Sequence, residues 1–254
     1  MNVAPLITWP LGYGKIQHSE LDSTNSEACR LAEAGEPGPL WITAAHQTAG
    51  RGRRGRGWDS GSGNLATTLL LRPEAPAAVI GQLSFAAALA TAEMAAHFAP
   101  QAAIGVKWPN DVLANGRKLA GILLESGQDP AGKRWLAIGI GANLVSFPQG
   151  TEFPATSLVE LGSAQPGIAA PSPGDALTVL AARFAHWYDA WMSEGFETVR
   201  AAWLARAQQL GEPIRARLPH ETRTGVFEGI DAAGALLLNE QGQVRAIAAG
   251  EVFF

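Results

Sequence analysis

The stretch "IGVKWPNDVLANGRKLAGILLE" (residues 104–125) contains two apolar runs on either side of Asn115-Gly116. Asn-Gly is the strongest short signal for a two-residue hairpin turn, so the stretch predicts two antiparallel strands. Lys107 and Asp111 fall on one predicted arm and Lys118 on the other, which brings two of the chain's four lysines to one region. A lysine there can neutralise an anion and the carboxylate can orient an amine, whereas an exposed salt bridge between Lys118 and Asp111 explains the same pair without any site.

A second basic stretch, "GRGRRGRGW" (50–58), follows the β-rich run "PLWITAAHQT" (39–48) and is predicted to leave the end of a strand. Guanidinium groups grip phosphate bidentately, and glycine N–H groups approach an anion closely. The stretch matches neither the P-loop nor the dinucleotide-binding glycine pattern. It predicts a site for phosphate or a phosphate-bearing intermediate, mobile without its ligand; a solvated basic loop and an RNA contact are the alternatives.

A third stretch, "DSTN" (22–25), precedes a helix-forming segment. Ser23 or Thr24 can be a helix N-cap with Glu27 completing a capping box. Three adjacent hydrogen-bonding side chains also suit a neutral polar group such as a ureido ring, and the two interpretations are compatible.

The composition excludes several classes of protein. A chain of 254 residues with 47% hydrophobic and 17% charged residues is neither disordered nor collagen-like. Its net charge of −4 makes the arginine stretch a local feature, since nucleic-acid-binding proteins usually spread basic residues over a face. The single cysteine, Cys29, forms no internal disulfide, and we recognise neither an export signal nor an 18-residue apolar run. We therefore expect a cytoplasmic protein that does not enter a membrane.

The remaining pattern predicts an α+β fold. Strands are predicted at "NLATTLLLR" and "RWLAIGIGANL", one buried helix at 77–98, and two helices over 175–209 that break near Gly195. From Gly211 onward, short strands separated by turn residues predict a small β-barrel. We therefore expect a catalytic domain at 1–209 and a barrel at 210–254.

Together with "GIGANL" and "GIDAAGALLL…GE", the three stretches resemble those of biotin protein ligases, in the same order and from about residue 17 onward. The resemblance implies a mixed sheet with flanking helices like that of class II aminoacyl-tRNA synthetases, followed by an SH3-like barrel. The stretch before residue 17 is too short for the DNA-binding helix-turn-helix that some members carry. The resemblance is therefore to the monofunctional type, and no DNA partner is expected.

The resemblance also implies an activity: ATP-dependent ligation of biotin, through biotinyl-5'-AMP and with Mg²⁺, to a lysine of a biotin carboxyl carrier protein. That carrier is the expected partner, and the enzyme is a monomer or homodimer. Lipoate protein ligase, which uses the same adenylation chemistry, is the alternative.

Three groups of residues are assigned by the resemblance. The biotin-binding residues are Ser23, Thr24, Asn25, Gln47, Arg51, Gly52, Arg53, Lys118 and Gly121. The nucleotide-binding residues are Arg51, Arg53, Arg56, Trp58, Lys118 and Asn143. The catalytic residues are Lys118, Arg53 and Asp111, where Asp111 meets the acceptor lysine, and no residue is assigned to a metal.

Overall fold

The computed structural model describes residues 7–162 and 171–254. Up to residue 142 the elements are β1 Gly14–Leu21, α1 Thr24–Glu33, β2 Leu40–Gln47, β3 Leu65–Leu71, α2 Ala77–Ile80, α3 Leu83–Phe98, β4 Ile104–Lys107, β5 Asp111–Ala114, β6 Arg117–Gln128 and β7 Arg134–Ala142. They are followed by α4 Leu158–Gly162, α5 Pro173–Glu194, α6 Phe196–Leu204, β8 Pro213–Arg217, β9 Thr222–Ile230, β10 Leu236–Glu240, β11 Gln243–Ile247 and β12 Glu251–Phe253.

The first seven strands form one mixed sheet in the order β1-β2-β3-β7-β6-β5-β4. β1 and β2 are parallel, and the other neighbours are antiparallel. Helix α1 contacts β2, β3 and β7, whereas α3 contacts β4 to β7 and packs against α5 and α6. Separate antiparallel strands follow the mixed sheet, and the predicted α+β class is confirmed.

The central strand β7 shows how the sequence separates the two faces of this sheet. Because side chains alternate along a strand, Ile138 and Ile140 enter the core that contains α3 and α5. Trp135 and Ala137 point to the opposite face and pack with residues of α1. Gly139 and Gly141 continue that second face without side chains, so the sheet leaves room there for groups from elsewhere.

The predicted helix at 77–98 is interrupted. Gly81 and Gln82 separate α2 from α3, and the Gln82 side chain accepts from Trp191 Nε1 at 2.9 Å and donates to the Ala232 carbonyl at 3.1 Å. By length and composition the whole segment could cross a membrane, but 67% of its most apolar window is buried inside the protein. It is therefore the core helix of this fold.

The predicted break near Gly195 is confirmed, with φ 83° at that residue, although the two helices span Pro173–Leu204 rather than 175–209. Three tryptophans of this region are buried in the core: Trp187, Trp191 and Trp203.

The predicted hairpin at Asn115-Gly116 is also confirmed, since φ is 49° and 73° at these residues. The placement of Lys107 and Asp111 on one arm is wrong. Pro109 lies in a turn that ends β4 at Lys107 and starts β5 at Asp111, and these two residues pair across the strands. A proline has no N–H to donate to a strand ladder, which accounts for the extra turn.

The last five strands form an antiparallel sheet in the order β11-β10-β9-β8-β12. β11 and β12 are consecutive in the chain but stand at opposite ends of that order, so the sheet curls into the predicted barrel. The barrel shares the main core, and the Trp203 and Phe227 rings lie 6.5 Å apart. Trp108 Nε1 donates to the Gly234 carbonyl at 3.0 Å. Lys107 Nζ, at the end of β4, donates to the Val252 carbonyl at 3.0 Å, which holds β12 beside the β4–β5 turn.

Candidate active site

A cavity of about 450 Å³ lies among the start of α1, the arginine-rich loop 48–64, the β5–β6 hairpin and β12. This size suits a small-molecule ligand. Every residue that the sequence assigned to a site lines it: Ser23, Thr24, Asn25, Gln47, Arg51, Gly52, Arg53, Arg56, Trp58, Asp111, Lys118, Gly121 and Asn143.

One end of the cavity is a network of neutral polar groups. Gln47 Oε1 accepts from the Thr24 backbone N–H at 2.8 Å and lies 3.2 Å from Thr24 Oγ1. Gln47 Nε2 donates to Ser60 Oγ at 2.8 Å. Thr68 Oγ1 lies 2.8 Å from Thr24 Oγ1 and 2.6 Å from Asn25 Oδ1. A network of this kind recognises an uncharged ligand group with both donors and acceptors.

The predicted capping box does not form. Ser23 is the N-cap of α1, but its side chain makes no capping hydrogen bond. Glu27 instead pairs with Arg30 at 2.8 Å, which takes it away from the helix start. Ser23, Thr24 and Asn25 are buried and line the cavity.

Glycines of the two central strands make room for the cavity walls. A Cβ atom added at Gly139 would overlap the Asn25 amide, and one added at Gly141 would overlap the Trp58 indole. At Gly121 the added atom would lie 3.3 Å from the Trp58 ring and 3.4 Å from Lys118 Nζ. Asn25, Trp58 and Lys118 therefore occupy space that only glycine leaves free.

A buried charge cluster lies beside this wall. Asp111 Oδ1 is 2.6 Å from Lys118 Nζ, and Asp111 Oδ2 is 3.2 Å from Lys107 Nζ. Burial acts to raise the pKa of Asp111, but Lys118 and Lys107 outweigh it and hold that pKa below its usual range. Burial lowers the pKa of Lys107 against the opposing effect of Asp111. Because Asp111 is only 7% exposed, the exposed-salt-bridge interpretation is wrong.

The arginine loop bridges the main sheet and the barrel. Its ends meet at a bridge between Arg51 and Gly57, and a short 3-10 turn at Arg53–Gly55 forms its tip. Arg53 donates to Asn110 Oδ1 and to the Gly250 carbonyl, both at 3.3 Å. Burial, and then the neighbouring Arg54, lower the pKa of Arg53.

Carboxylates from other elements pair with the remaining arginines of this loop. Arg54 and Arg56 pair with Glu251 of β12, and Arg51 Nη2 lies 3.2 Å from Glu125 Oε2. The loop thus contacts β6 at its start and the barrel at its tip.

Two buried polar atoms of the cavity lack a protein partner within residues 7–162 and 171–254. These are Trp58 Nε1 and Asn143 Oδ1, while Asn143 Nδ2 donates to the Thr156 carbonyl at 3.0 Å. Buried polar groups are normally hydrogen-bonded, so these atoms are candidates to bind a ligand.

Three residues that contact the site were assigned no role from the sequence: Thr68, Glu125 and Glu251. Thr68 and Glu125 lie on strands, and the two-residue alternation from Gly121 through Leu123 to Glu125 was the available signal for Glu125. Glu251 is the last residue of the "GIDAAGALLL…GE" pattern, but only the packing of the barrel brings it to the arginine loop.

Two family descriptions match this chain. The first, the biotin/lipoate A/B protein ligase family, matches residues 14–143, which include all the site residues above except those of the barrel. The chain belongs to this family. The second, the biotin protein ligase C-terminal domain, matches residues 210–254.

Individual members of the family are similar over nearly the whole chain. The biotin–[acetyl-CoA-carboxylase] ligase of Paracoccus denitrificans is 44% identical over 245 residues, which cover 92% of this chain and 97% of that enzyme. The biotin protein ligase of Aquifex aeolicus in complex with biotin and ATP has a TM-score of 0.80 at 26% identity, covering 94% of this chain and 97% of that one. The Leishmania major biotin protein ligase in complex with biotinyl-5-AMP has a TM-score of 0.65 at 26% identity, and the match covers 93% of this chain and 99% of that one.

Proposed function

We propose that this protein ligates biotin to a lysine of a biotin carboxyl carrier protein in two steps, through biotinyl-5'-AMP. One observation carries the proposal: a single cavity joins a network of neutral polar groups to a cluster of arginines and lysines. A neutral ring and a reacting carboxylate with phosphates need these two environments side by side. The complexes of relatives with biotin, ATP and biotinyl-AMP support the same ligands here.

In the first step an oxygen of the biotin carboxylate attacks the α-phosphorus of ATP, and pyrophosphate leaves. Two anions approach each other, and at about 4 Å a pair of like charges costs on the order of 4 kcal/mol at an effective dielectric near 20. Lys118 and Arg53 line the cavity and offset this repulsion. We assign the biotin ring to Ser23, Thr24, Asn25, Gln47 and Gly121, and the carboxylate to Arg51, Gly52, Arg53 and Lys118.

Mg²⁺ is assigned to the nucleotide. The described residues contain no group of three or more His, Cys, Asp or Glu side chains that could hold a metal ion. We propose that Mg²⁺ enters with ATP as part of the substrate, because phosphate oxygens are ligands that Mg²⁺ prefers, and that the protein supplies arginine and lysine charge around it.

The adenylate is held by Arg51, Arg53, Arg56, Trp58, Lys118 and Asn143. Trp58 offers a ring face for adenine to stack on, and Asn143 Oδ1 is available to accept a hydrogen bond from its amino group. Closure of the arginine loop over the adenylate keeps water from the mixed anhydride.

In the second step the neutral amine of the carrier lysine attacks the carbonyl carbon of the anhydride, an amide bond forms and AMP leaves. The lysine has a reference pKa of about 10.4, so most of it is protonated at neutral pH. Asp111 stays ionised beside Lys118 and Lys107 and is placed to orient the incoming ammonium group, while the positive charges of Lys118 and Lys107 act to lower the pKa of that group and so favour the neutral amine.

The protein partner is the biotin carboxyl carrier domain of a carboxylase. We expect the enzyme to act in the cytoplasm as a monomer or homodimer. We assign catalysis to a domain at 1–209 and the barrel to 210–254, a division supported by the second family description. The net charge of −4 is opposite to that of most DNA-binding proteins, so we expect no specific binding to DNA.

The decisive assay is exchange of labelled pyrophosphate into ATP, which follows the first step alone. We expect exchange with biotin and not with lipoate, because the Gln47–Thr24–Asn25 network suits a ureido ring and a dithiolane ring offers it no donors. Exchange with lipoate that biotin does not inhibit would instead support the lipoate ligase alternative. Exchange with neither acid, in folded protein, would contradict both.

A further inference from the structure

Glu125 lies on β6 beside the cavity, on the same face of the strand as Gly121 and Leu123. Its carboxylate accepts hydrogen bonds from two directions. Asn25 Nδ2 donates to Oε2 at 2.8 Å, and Arg51 Nη2 lies 3.2 Å from Oε2 and 3.3 Å from Oε1. One carboxylate therefore contacts both the neutral end of the cavity and the start of the arginine loop.

This contact determines which way the Asn25 amide faces. A side-chain amide has a donor end and an acceptor end, while an ionised carboxylate only accepts. Nδ2 must therefore face Glu125, with the Leu123 carbonyl as a weaker second acceptor at 3.4 Å. The Asn25 oxygen is then left to accept from the Thr68 hydroxyl, 2.6 Å away.

The orientation of Asn25 in turn affects the hydrogen bonds of the cavity wall. Because the single proton of Thr68 Oγ1 goes to Asn25, that oxygen accepts from Thr24 Oγ1 at 2.8 Å, and the one proton of the Thr24 hydroxyl is then not donated to Gln47 Oε1, which lies 3.2 Å away. Thr68 is fully buried and Asn25 is 4% exposed, so bulk water does not substitute for either partner. The donor and acceptor pattern that Thr24 and Gln47 present to a ligand thus depends on a charge outside the cavity.

We propose that Glu125 is a positioning residue for the biotin ring: it sets the orientation of Asn25 and, through Thr68, the hydrogen-bonding pattern of the cavity wall. The inference rests on the proposed function, because it takes biotin as the ligand of that wall. The ion pair between Glu125 and Arg51 is a separate contact, in which the Arg51 side chain is 44% exposed and the Glu125 side chain is 34% exposed. Such exposed pairs contribute about 0–1 kcal/mol to stability, so we attribute the effect of Glu125 on the cavity wall to its contact with Asn25.

Two substitutions separate these contacts. Glu125→Gln removes the charge but keeps an acceptor for Asn25, whereas Glu125→Met removes both at similar length. Glu228→Met is the matched control, because Glu228 accepts from Asn239 Nδ2 on the barrel, away from the cavity. Each protein is titrated with biotin and with 2-iminobiotin, which replaces the ureido oxygen by nitrogen, and with ATP. Thermal unfolding is measured alongside.

We expect Glu125→Met to weaken biotin binding about tenfold, the effect of leaving one buried donor without its strong acceptor. The ratio of the 2-iminobiotin and biotin dissociation constants should change about fivefold or more, because a turned amide alters what the wall donates and accepts. Glu125→Gln should keep biotin affinity within about threefold. ATP affinity and the unfolding temperature should match those of Glu228→Met.

Other results would overturn the proposal. An unchanged ratio of the two ligands in Glu125→Met would show that Glu125 acts only on general stability. Equal losses in the Gln and Met variants would assign the effect to Arg51 instead. If the unmodified protein binds no biotin, the proposed function itself fails and this inference fails with it.

Discussion

Gly141 offers the sharpest test of the site geometry, because a single methyl group there changes one contact. A Cβ atom on Gly141 would lie less than 3.0 Å from three atoms of the Trp58 indole, where ordinary contacts are 3.4–4 Å. β7 is hydrogen-bonded to β3 on one side and to β6 on the other, so its backbone cannot retreat. Trp58 belongs to a loop, and it must therefore move by about 1 Å to restore normal contact.

We expect Gly141→Ala to lower the rate of biotin-dependent pyrophosphate exchange about a hundredfold, since a displacement of about 1 Å at a reacting centre costs this much. Biotin affinity should change by less than about threefold, because the Asn25 network contacts Gly139 and not Gly141. Overpacking should cost about 1–3 kcal/mol of unfolding free energy, and less if the loop yields freely.

Two further substitutions make the result specific. Gly139→Ala should do the opposite, weakening biotin binding, because its methyl group would displace the Asn25 amide. Gly81→Ala, where an added Cβ atom meets nothing within 4 Å, should leave both properties unchanged. If Gly141→Ala exchanges pyrophosphate within about threefold of the unmodified rate, Trp58 does not form the nucleotide wall, and the reasoning is wrong.

Three other predictions follow from the charges. Lys118→Ala should lower the adenylation rate about a hundredfold and biotin affinity far less, because the lysine charge matters most in the transition state, where negative charge builds up on the reacting groups. Equal losses of biotin affinity, measured by calorimetry, and of adenylation rate would contradict this. Asp111→Asn should cost about 3 kcal/mol of unfolding free energy at pH 7, because it leaves the buried Lys107 ammonium without its counter-ion and with the neutral Val252 carbonyl as acceptor. Because the folded-state pKa of Asp111 is lowered, that difference should shrink below about pH 4 in urea titrations; a difference independent of pH would refute the ion pair. Trypsin should cut the ligand-free protein at Arg51–Arg56, and biotin with ATP should slow the cut, whereas equal rates would exclude a closing loop.

The sequence predicted local features well because each depends on a few neighbouring residues. Asn115-Gly116 determined its hairpin turn, Gly195 ended a helix, and alternation predicted the strand β7, which is buried on both faces. The predictions were wrong where a contact between residues far apart in the sequence determines the local structure. Gln82 leaves its helix for partners at Trp191 and Ala232, which lie 109 and 150 positions away.

For the site, the motifs identified side chains but not the contacts among them. Thr24, Gln47 and Lys118 were assigned through the resemblance, and they line one cavity. Glu125 lies 100 positions from Asn25 and 74 from Arg51, so only strand order brings them together. The spacing of Glu27 matches a capping box, but in the structure its carboxylate pairs with Arg30, three positions away.

The arrangement of charges also changes how substrate anions must bind. The isolated loop carries four mutually repelling arginines, but in the folded protein Glu125 pairs with Arg51 and Glu251 pairs with Arg54 and Arg56. A substrate carboxylate or phosphate that binds these guanidiniums therefore replaces a protein carboxylate instead of meeting bare charge. The partly exposed Arg51–Glu125 pair contributes about 0–1 kcal/mol to stability, so replacing it costs little, whereas the Glu251 side chain is only 13% exposed and loses more if both of its arginines turn to a substrate. Arg53 differs: it is partly buried and bound to Asn110 and the Gly250 carbonyl, both neutral, so an anion beside it gains the most. We therefore expect Arg53 to be the loop arginine whose charge contributes most to adenylation.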